Sequence, residues 1–494
     1  MTRTYQHWIN GAEQAPANEA YIARRSPAHG GLLAEFAAGS EQDVDRAVEV
    51  AHALHVAGSW SNVPASERAK LLNRWADLIE RDADRLAAIE AEEVGKPIVY
   101  AKGEVLWSAE LTRFAASLAW QIPGEAHSHL GENRLGLVTR EARGVVGLIV
   151  PWNFPMVCLF QKLPYAIAAG CPVVIKPSEL TSGTALEVAR LAAEAGLPNG
   201  LINVVTGKGS VVGERLTRHP NVSMVSFTGS TRVGKQIAAA ASQDLTRVAL
   251  ELGGKAANVV FADADLDAAL DGVLFGVILN QGEECVAGTR LLIEESVADE
   301  FVARLVERSK KVVVGLPMEA DTQIGALIHE DHLNSVLDYI RIGQEEGATL
   351  VYGGKRLAEG ELANGYFVGP TIFCNVKPQH RIFREEIFAP VLAVTTFRTV
   401  DEAVALANDT DYGLGNGVWS KDLDKALGVA RRLQSGTVFV NTYLETSVQM
   451  PFGGYKQSGY GRENGVDGLL EFMEVKSTFI RMGERTPVLP NTLD

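Results

Sequence analysis

A chain of 494 residues, 46% hydrophobic and 22% charged, has an ordinary globular composition and is long enough for two or three domains with their own cores, which argues against a disordered chain. Lys and Arg total 46 against 61 Asp and Glu, a formal net charge of −15, so nothing favours nucleic acid or an anionic membrane surface as a partner. Cys158, Cys171, Cys285 and Cys374 show no Cys-x-x-Cys spacing, so neither a disulfide framework nor a metal site is expected, and reduced thiols in a cytoplasmic setting fit best.

In chain order, the start Met1-Thr2-Arg3-Thr4-Tyr5 lacks an apolar signal core, and a short hairpin is expected around Trp8-Ile9-Asn10-Gly11. Segments 41–57, 65–93 and 98–120 carry apolar residues at helical spacing, with Ser66 after Pro64 as a helix start. The longest apolar stretch, 144–160, is broken by Pro151, Asn153 and Pro155, so no membrane span is expected. From 145 onward short β-branched runs alternate with helix-length segments: 145–150, 172–176, 201–205 and 222–227, then 255–261, 290–293 and 436–440. Continuous apolar strands separated by helices imply parallel sheets covered on both faces, hence two α/β domains. Their hinge falls at Glu251-Leu252-Gly253-Gly254-Lys255, where paired glycines interrupt two strand-like runs.

Ligands of open parallel sheets bind at the carboxyl ends of the strands. Two such ends, Thr206-Gly207-Lys208-Gly209 and Thr228-Gly229-Ser230-Thr231, feed helices and let backbone N–H groups approach a phosphate, although neither matches G-x-G-x-x-G. Lys176-Pro177-Ser178-Glu179 offers a cation and a carboxylate three residues apart, suited to a ribose diol or merely to a helix start. Cys285 lies in the polar, glycine-flanked stretch 280–288 after an apolar run, a setting that presents the thiol as a nucleophile.

Six ordered motifs then agree: Pro151-Trp152-Asn153-Phe154-Pro155, Phe227-Thr228-Gly229-Ser230, Glu251-Leu252-Gly253-Gly254-Lys255, the Cys285 segment, Glu385-Glu386-Ile387-Phe388-Ala389-Pro390 and Pro451-Phe452-Gly453-Gly454. On these the chain resembles the NAD(P)-dependent aldehyde dehydrogenase superfamily over nearly its whole length, in its hydrolytic, non-CoA-acylating branch. The resemblance implies a Rossmann-like NAD-binding domain from 1–122 and 144–252, a second α/β catalytic domain from 253–456, and a small β oligomerisation arm from 123–143 and 470–494. It also implies a homodimer or homotetramer.

For catalysis the resemblance assigns Cys285 as the nucleophile that forms a thiohemiacetal and then a thioester. Asn153, with the Cys285 N–H, would serve as oxyanion donor and Glu251 as the base that activates water, with Lys162 and Glu463 completing the set. Lys456 and Glu463 are expected as a pair that contacts the base, and Gly253 and Gly254 as bends beside the cofactor. For NAD, with NADP as an alternative, it implies Ile149, Val150, Trp152, Lys176, Ser178, Glu179, Gly209, Gly213, Phe227, Gly229, Ser230, Val233, Leu252, Glu386 and Phe388. A carboxylate at 179 would accept from a free ribose diol and repel a 2′-phosphate, which favours NAD.

The substrate pocket implied is Phe154, Cys158, Gln161, Trp107, Glu284, Val286, Glu445 and Phe452. Ala389 stands where the family usually has glycine, Glu284 where relatives often have cysteine or valine, and Gln161 where relatives often have tryptophan. Glu104, Trp107 and Glu110 fall on successive turns of one predicted helix. If that face lines the pocket, carboxylates beside an aromatic suit a polar or cationic aldehyde of the aminoaldehyde or betaine-aldehyde type. The alternatives are a general aliphatic or aromatic aldehyde dehydrogenase, a CoA-acylating enzyme, and a catalytically silent structural protein. The carboxylate at 251 disfavours the second, and Cys285, Glu251 and Asn153 together disfavour the third.

Overall fold

The computed structural model describes residues 3–484. Asn10 and Gly11 take left-handed φ values of 56° and 73°, which is what a two-residue turn needs, and His7–Ile9 pairs with Ala12–Gln14 across them. This hairpin forms one edge of an eight-stranded sheet. Its middle is parallel, in the spatial order Arg247–Glu251, Met224–Thr228, Val146–Ile149, Val173–Lys176, Ile202–Val204. The opposite edge is Gly459–Tyr460, which returns from the far end of the sequence to pair with Leu250 and Glu251. A seven-stranded sheet holds Arg290–Glu294, Ala257–Val260 and Gly415–Trp419 at its centre, with Thr437–Val440 on one edge and Thr349–Tyr352 antiparallel on the other.

Both sheets are α/β in character, as the alternation of apolar runs with helices predicts. The run 65–93 is two helices, Ala65–Arg81 and Ala83–Val94, because Asp82 leaves helical geometry (φ −98°, ψ 13°). Pro64 rather than Ser66 occupies the cap of the first. A three-stranded sheet of Arg3–Tyr5, Leu32–Ala37 and Tyr21–Arg25 is invisible to apolar periodicity, since arginine and glutamate interrupt its runs. Glu125–His127, Arg134–Ala142 and Met473–Arg481 form a separate antiparallel sheet, while 485–494 of the expected arm lie outside the described residues.

The hinge segment links strand Arg247–Glu251 of the first sheet to Ala257–Val260 of the second. Gly253 and Gly254 have ordinary φ, so the expected bend is corrected to close approach. A Cβ on Gly253 would lie 2.2 Å from a Glu386 carboxylate oxygen, and one on Gly254 would lie 2.2 Å from the Cys285 carbonyl oxygen. Among the described residues no helix is long and apolar enough to cross a membrane, and no group of three or more His, Cys, Asp or Glu could hold a metal.

Candidate active site

The segment that carries Cys285 is built from backbone that most residues avoid. After the helix Leu266–Ile278, Asn280, Gln281 and Gly282 are successively left-handed, with φ of 50°, 48° and 73°. For non-glycine residues such geometry costs about 1–3 kcal/mol each and persists only where surrounding contacts hold it. Here they do. Asn280 Nδ2 donates to the carbonyls of Asn153 (2.9 Å) and Glu283 (3.0 Å), and Asn153 Nδ2 donates to the same Glu283 carbonyl (2.9 Å). The Glu283 carboxylate accepts from Gln281 Nε2 at 3.0 Å and from the Ile328 N–H at 2.9 Å. Asn153 is therefore tied to the turn bearing the thiol, and an amide has a second N–H left to donate.

Around the thiol the field is dominated by burial and negative charge. Burial, then Cys158, Glu284, Glu386 and Glu251, hold the Cys285 thiol well above its usual range, so it rests uncharged. Burial likewise holds Glu251 well above the carboxylate range, opposed by Lys162 and Arg462, and its Oε2 is buried with no hydrogen-bond partner. Gly453 makes room for it, since a Cβ there would lie 2.8 Å from Glu251 Oε1. Lys162 is fully buried, donates to Thr228 Oγ1 at 2.6 Å and pairs with Glu463. Burial pulls its ammonium down to about 8 against the pull of Cys158, Glu251 and Cys285.

The expected Lys456–Glu463 pair does not exist. Lys456 is exposed and donates to the carbonyls of Asn408 and Thr410, because the strand pair Tyr412–Gly413 with Tyr455–Lys456 turns it outward; the buried partner of Glu463 is Lys162.

At the carboxyl ends of the parallel strands runs a groove of about 910 Å³. Its lining includes Ile149, Val150, Trp152, Lys176, Ser178, Glu179, Gly209, Gly213, Phe227, Gly229, Ser230 and Val233. Lys176 and Glu179 form an ion pair at 3.0 Å, and Ser178 Oγ accepts from the Leu180 N–H, a turn rather than a helix cap. Ser230 caps the helix Thr231–Ala241 by accepting from the Val233 N–H, leaving that helix's N-terminus at the groove. Gly209 lies beside Lys176, where a Cβ would stand 3.8 Å from Nζ, an ordinary contact distance. Lys208, from the strand end Thr206-Gly207-Lys208-Gly209, is on the same lining, whereas Arg218, Gln236 and Gln243 were missed: Gln236 lies within the helix Thr231–Ala241 and the other two in turns, with no motif to mark them.

Leu252, Glu386 and Phe388 stand apart from that lining. Leu252 is buried in the core. Glu386 accepts from the Gly254 N–H at 2.9 Å and is raised to about 7 by burial. Phe388 is left-handed (φ 61°), and is held by Trp152 (ring centroids 5.4 Å apart, edge to face) and by His332, whose Nε2 lies 2.8 Å from its carbonyl oxygen.

On the substrate side, Phe154 begins the helix Pro155–Phe160, Cys158 is buried on it, and Gln161 ends it half-buried. Val286 is buried, Trp107 and Phe452 are half-buried, and Glu445 is exposed. The helix face proposed from Glu104, Trp107 and Glu110 is corrected, because Ile98–Leu118 rotates Glu104 inward and Glu110 into solvent. Glu104 is not free, since the buried Lys96 donates to both its oxygens at 2.6 and 2.7 Å. Lys96 went unnoticed in Gly95-Lys96-Pro97, which reads as a loop.

A half-buried thiol on a strained turn, an amide fixed to that turn, a buried carboxylate and a groove at the strand ends are the parts of an enzyme that works through a cysteine nucleophile. Residues 14–478 match the model of the aldehyde dehydrogenase family. A betaine aldehyde dehydrogenase of Bacillus subtilis is 43% identical over 90% of this chain and 91% of its own. The NADP/NAD-dependent aldehyde dehydrogenase PuuC of Escherichia coli is 42% identical over 96% of this chain and 95% of its own. The crystal structure of an NAD-dependent aldehyde dehydrogenase from Sinorhizobium meliloti superimposes with a TM-score of 0.97 at 44% identity, covering 99% of this chain and 96% of that one. The chain belongs to the aldehyde dehydrogenase family.

Proposed function

We propose that this enzyme oxidises a polar or cationic aldehyde to its carboxylic acid with NAD, through a thioester on Cys285 that water hydrolyses. The observation that carries the reading is Asn153 hydrogen-bonded into the strained turn that bears Cys285, with the buried carboxylate of Glu251, at the end of the strand Arg247–Glu251, among the charges that act on the thiol. Cys285 Sγ attacks the aldehyde carbon, and its proton passes to a base as the carbonyl oxygen gains charge. The free N–H of Asn153 and the Cys285 backbone N–H stabilise that oxygen; one such donor is typically worth ~10²–10³ in rate. NAD, when bound, accepts the hydride. Glu251, unpartnered at Oε2, then takes a proton from water as it attacks the thioester. Lys162 and Glu463 hold the charge balance behind Glu251 and act as positioning residues.

The groove at the strand ends fits a dinucleotide, with the Lys176–Glu179 pair for a ribose diol and a helix N-terminus for a phosphate. Glu179 supports NAD over NADP. Glu284 supports a cationic substrate; the Bacillus subtilis relative is named for betaine aldehyde, and PuuC is named as using NADP or NAD. The long exposed edge strand Met473–Arg481, with Phe479 83% exposed, supports assembly into a homo-oligomer.

A panel of betaine aldehyde, 4-aminobutyraldehyde, hexanal and benzaldehyde, each with NAD and with NADP, tests the reading. Higher kcat/KM for the two cationic aldehydes with NAD is expected. Higher values for hexanal and benzaldehyde would refute the cationic pocket, and a clear NADP preference would refute the role of Glu179.

A further inference from the structure

Glu283 puts its backbone oxygen and its carboxylate to different uses. The backbone carbonyl accepts from Asn153 Nδ2 and Asn280 Nδ2, which closes the left-handed turn beneath Cys285. The carboxylate is fully buried and reaches out of that turn. One oxygen accepts from Gln281 Nε2 at 3.0 Å; the other accepts from the Ile328 N–H at 2.9 Å and lies 3.6 Å from His332 Nε2. His332 stands in the first turn of the helix Glu330–Glu345, where the His329 ring accepts from its N–H at 3.0 Å. His332 Nε2 also lies 2.8 Å from the Phe388 carbonyl oxygen, and with a carbonyl and a carboxylate oxygen as neighbours that nitrogen carries the ring's proton. Phe388 is left-handed, a conformation that a bulky residue keeps only where contacts hold it. Both rings pack edge to face on Trp152, which lines the groove at the strand ends, with centroids 5.4 Å away for Phe388 and 6.0 Å for His332. A chain of contacts therefore runs from the turn that carries the thiol to the wall of the groove without passing through Glu251 or Glu386.

We propose that Glu283 and His332 act as one unit of positioning residues that fixes the separation between Cys285 and the cofactor groove: Glu283 holds His332, and His332 holds the left-handed backbone of Phe388 against Trp152. This rests on the thioester reading above, in which the carbon bonded to Cys285 passes a hydride to NAD in the groove. Transfer of that kind needs one fixed separation, and a misplacement of about 1 Å costs ~10² in rate. Replacing the Glu283 side chain leaves its backbone carbonyl in place, so Asn153 and the turn keep their bonds while the tie to the groove wall is lost. The amide of Gln281 adds a distinction between variants, because its Oε1 is buried without a partner. In Glu283→Gln that amide can turn over and accept from the new N–H, which keeps an oxygen on the Ile328 N–H and His332; an apolar side chain at 283 keeps neither.

The test uses the full-length enzyme and two readouts: the NADH burst on rapid mixing with NAD and either betaine aldehyde or hexanal, whichever turns over faster, and alkylation of Cys285 by iodoacetamide in the absence of NAD. His332→Phe keeps a ring to pack on Trp152 and removes only the N–H that faces Phe388. It is expected to slow the burst ~10-fold, with an isotope effect from the C1-deuterated aldehyde, while alkylation stays within about 2-fold. Glu283→Leu should do the same, Glu283→Gln should stay within about 3-fold of the unaltered enzyme, and the double variant Glu283→Leu/His332→Phe should be less than about 3-fold slower than either single one. An unchanged burst in His332→Phe overturns the proposal whether or not Glu283→Leu folds. So does additive slowing in the double variant, and so does alkylation that falls in step with the burst, which would make Glu283 a support of the thiol alone. No burst from the unaltered enzyme with either aldehyde would overturn the thioester reading on which the proposal rests.

Discussion

Two fully buried lysines, Lys162 and Lys96, are each paired with a glutamate, and they are not equivalent. Lys162 meets one carboxylate, Glu463, and a hydroxyl, Thr228; burial wins over its neighbours and brings it to about 8. Lys96 is chelated by Glu104, with Glu90 close by and an aromatic face beneath it. A single-carboxylate pair leaves Lys162 with a lowered ammonium, which under the proposed mechanism suits the hydrolytic step, and the same mechanism gives the carboxylate-rich surroundings of Lys96 a different part.

That contrast can be broken experimentally. Cys285→Ala removes the centre both clusters serve and is expected to lower kcat by at least ~10⁴ without loss of fold, measured as NADH formation with circular dichroism as control. Glu251→Gln is expected to lower steady-state turnover by ~10²–10⁴ while a pre-steady-state burst of NADH remains. In the unaltered enzyme turnover should rise with pH through a range lifted above that of an ordinary carboxylate, because Glu251 has to lose a proton held by burial; Glu251→Gln should lack that rise.

Glu463→Gln is the next step down. It should slow deacylation about 10-fold with KM nearly unchanged, and should move the pH profile by altering Lys162. Glu104→Gln should instead alter stability and the KM for cationic aldehydes with little effect on deacylation. If both variants gave the same kinetic signature, the division of labour between the two lysines would be wrong.

The smallest effect is on stability. Glu284 rises from its ordinary range to about 8 on folding, so its contribution is fully present at acid pH and is lost as pH climbs through about 8. The thermal midpoint of the unaltered enzyme should fall between about pH 5 and 8, and less steeply in Glu284→Gln; parallel slopes over that range would show that Glu284 does not titrate there.

How much of this the sequence carried follows the same division. The parallel strands were legible because each is a continuous β-branched run, and the turns 206–209, 228–231 and 176–179 were marked by their positions at strand ends, whereas the full set of cofactor-side residues came from the family resemblance. Glu251 and Cys285 were marked by glycines that, in the structure, permit close approach to Glu386 and to the Cys285 backbone. The charge clusters were not legible. Lys162 and Glu463 are 301 positions apart, and Lys96 meets Glu104 only because the helix Ile98–Leu118 turns that face inward. Helical spacing put Glu104, Trp107 and Glu110 on one stripe, but it could not say that the stripe crosses from core to solvent. Lys456 misled for the converse reason, since a motif fixes sequence neighbours and a two-residue strand decides which way one of them points.

The central claim is that the aldehyde carbon is held on Cys285 until water activated by Glu251 removes it. Intact and peptide mass spectrometry of Glu251→Gln, quenched after mixing with NAD and betaine aldehyde, tests it most directly. An acyl adduct of about one per subunit on the Cys285 peptide, formed together with the NADH burst, is the predicted result. An NADH burst with no adduct on Cys285, or with the adduct on Cys158, Cys171 or Cys374, would contradict the account.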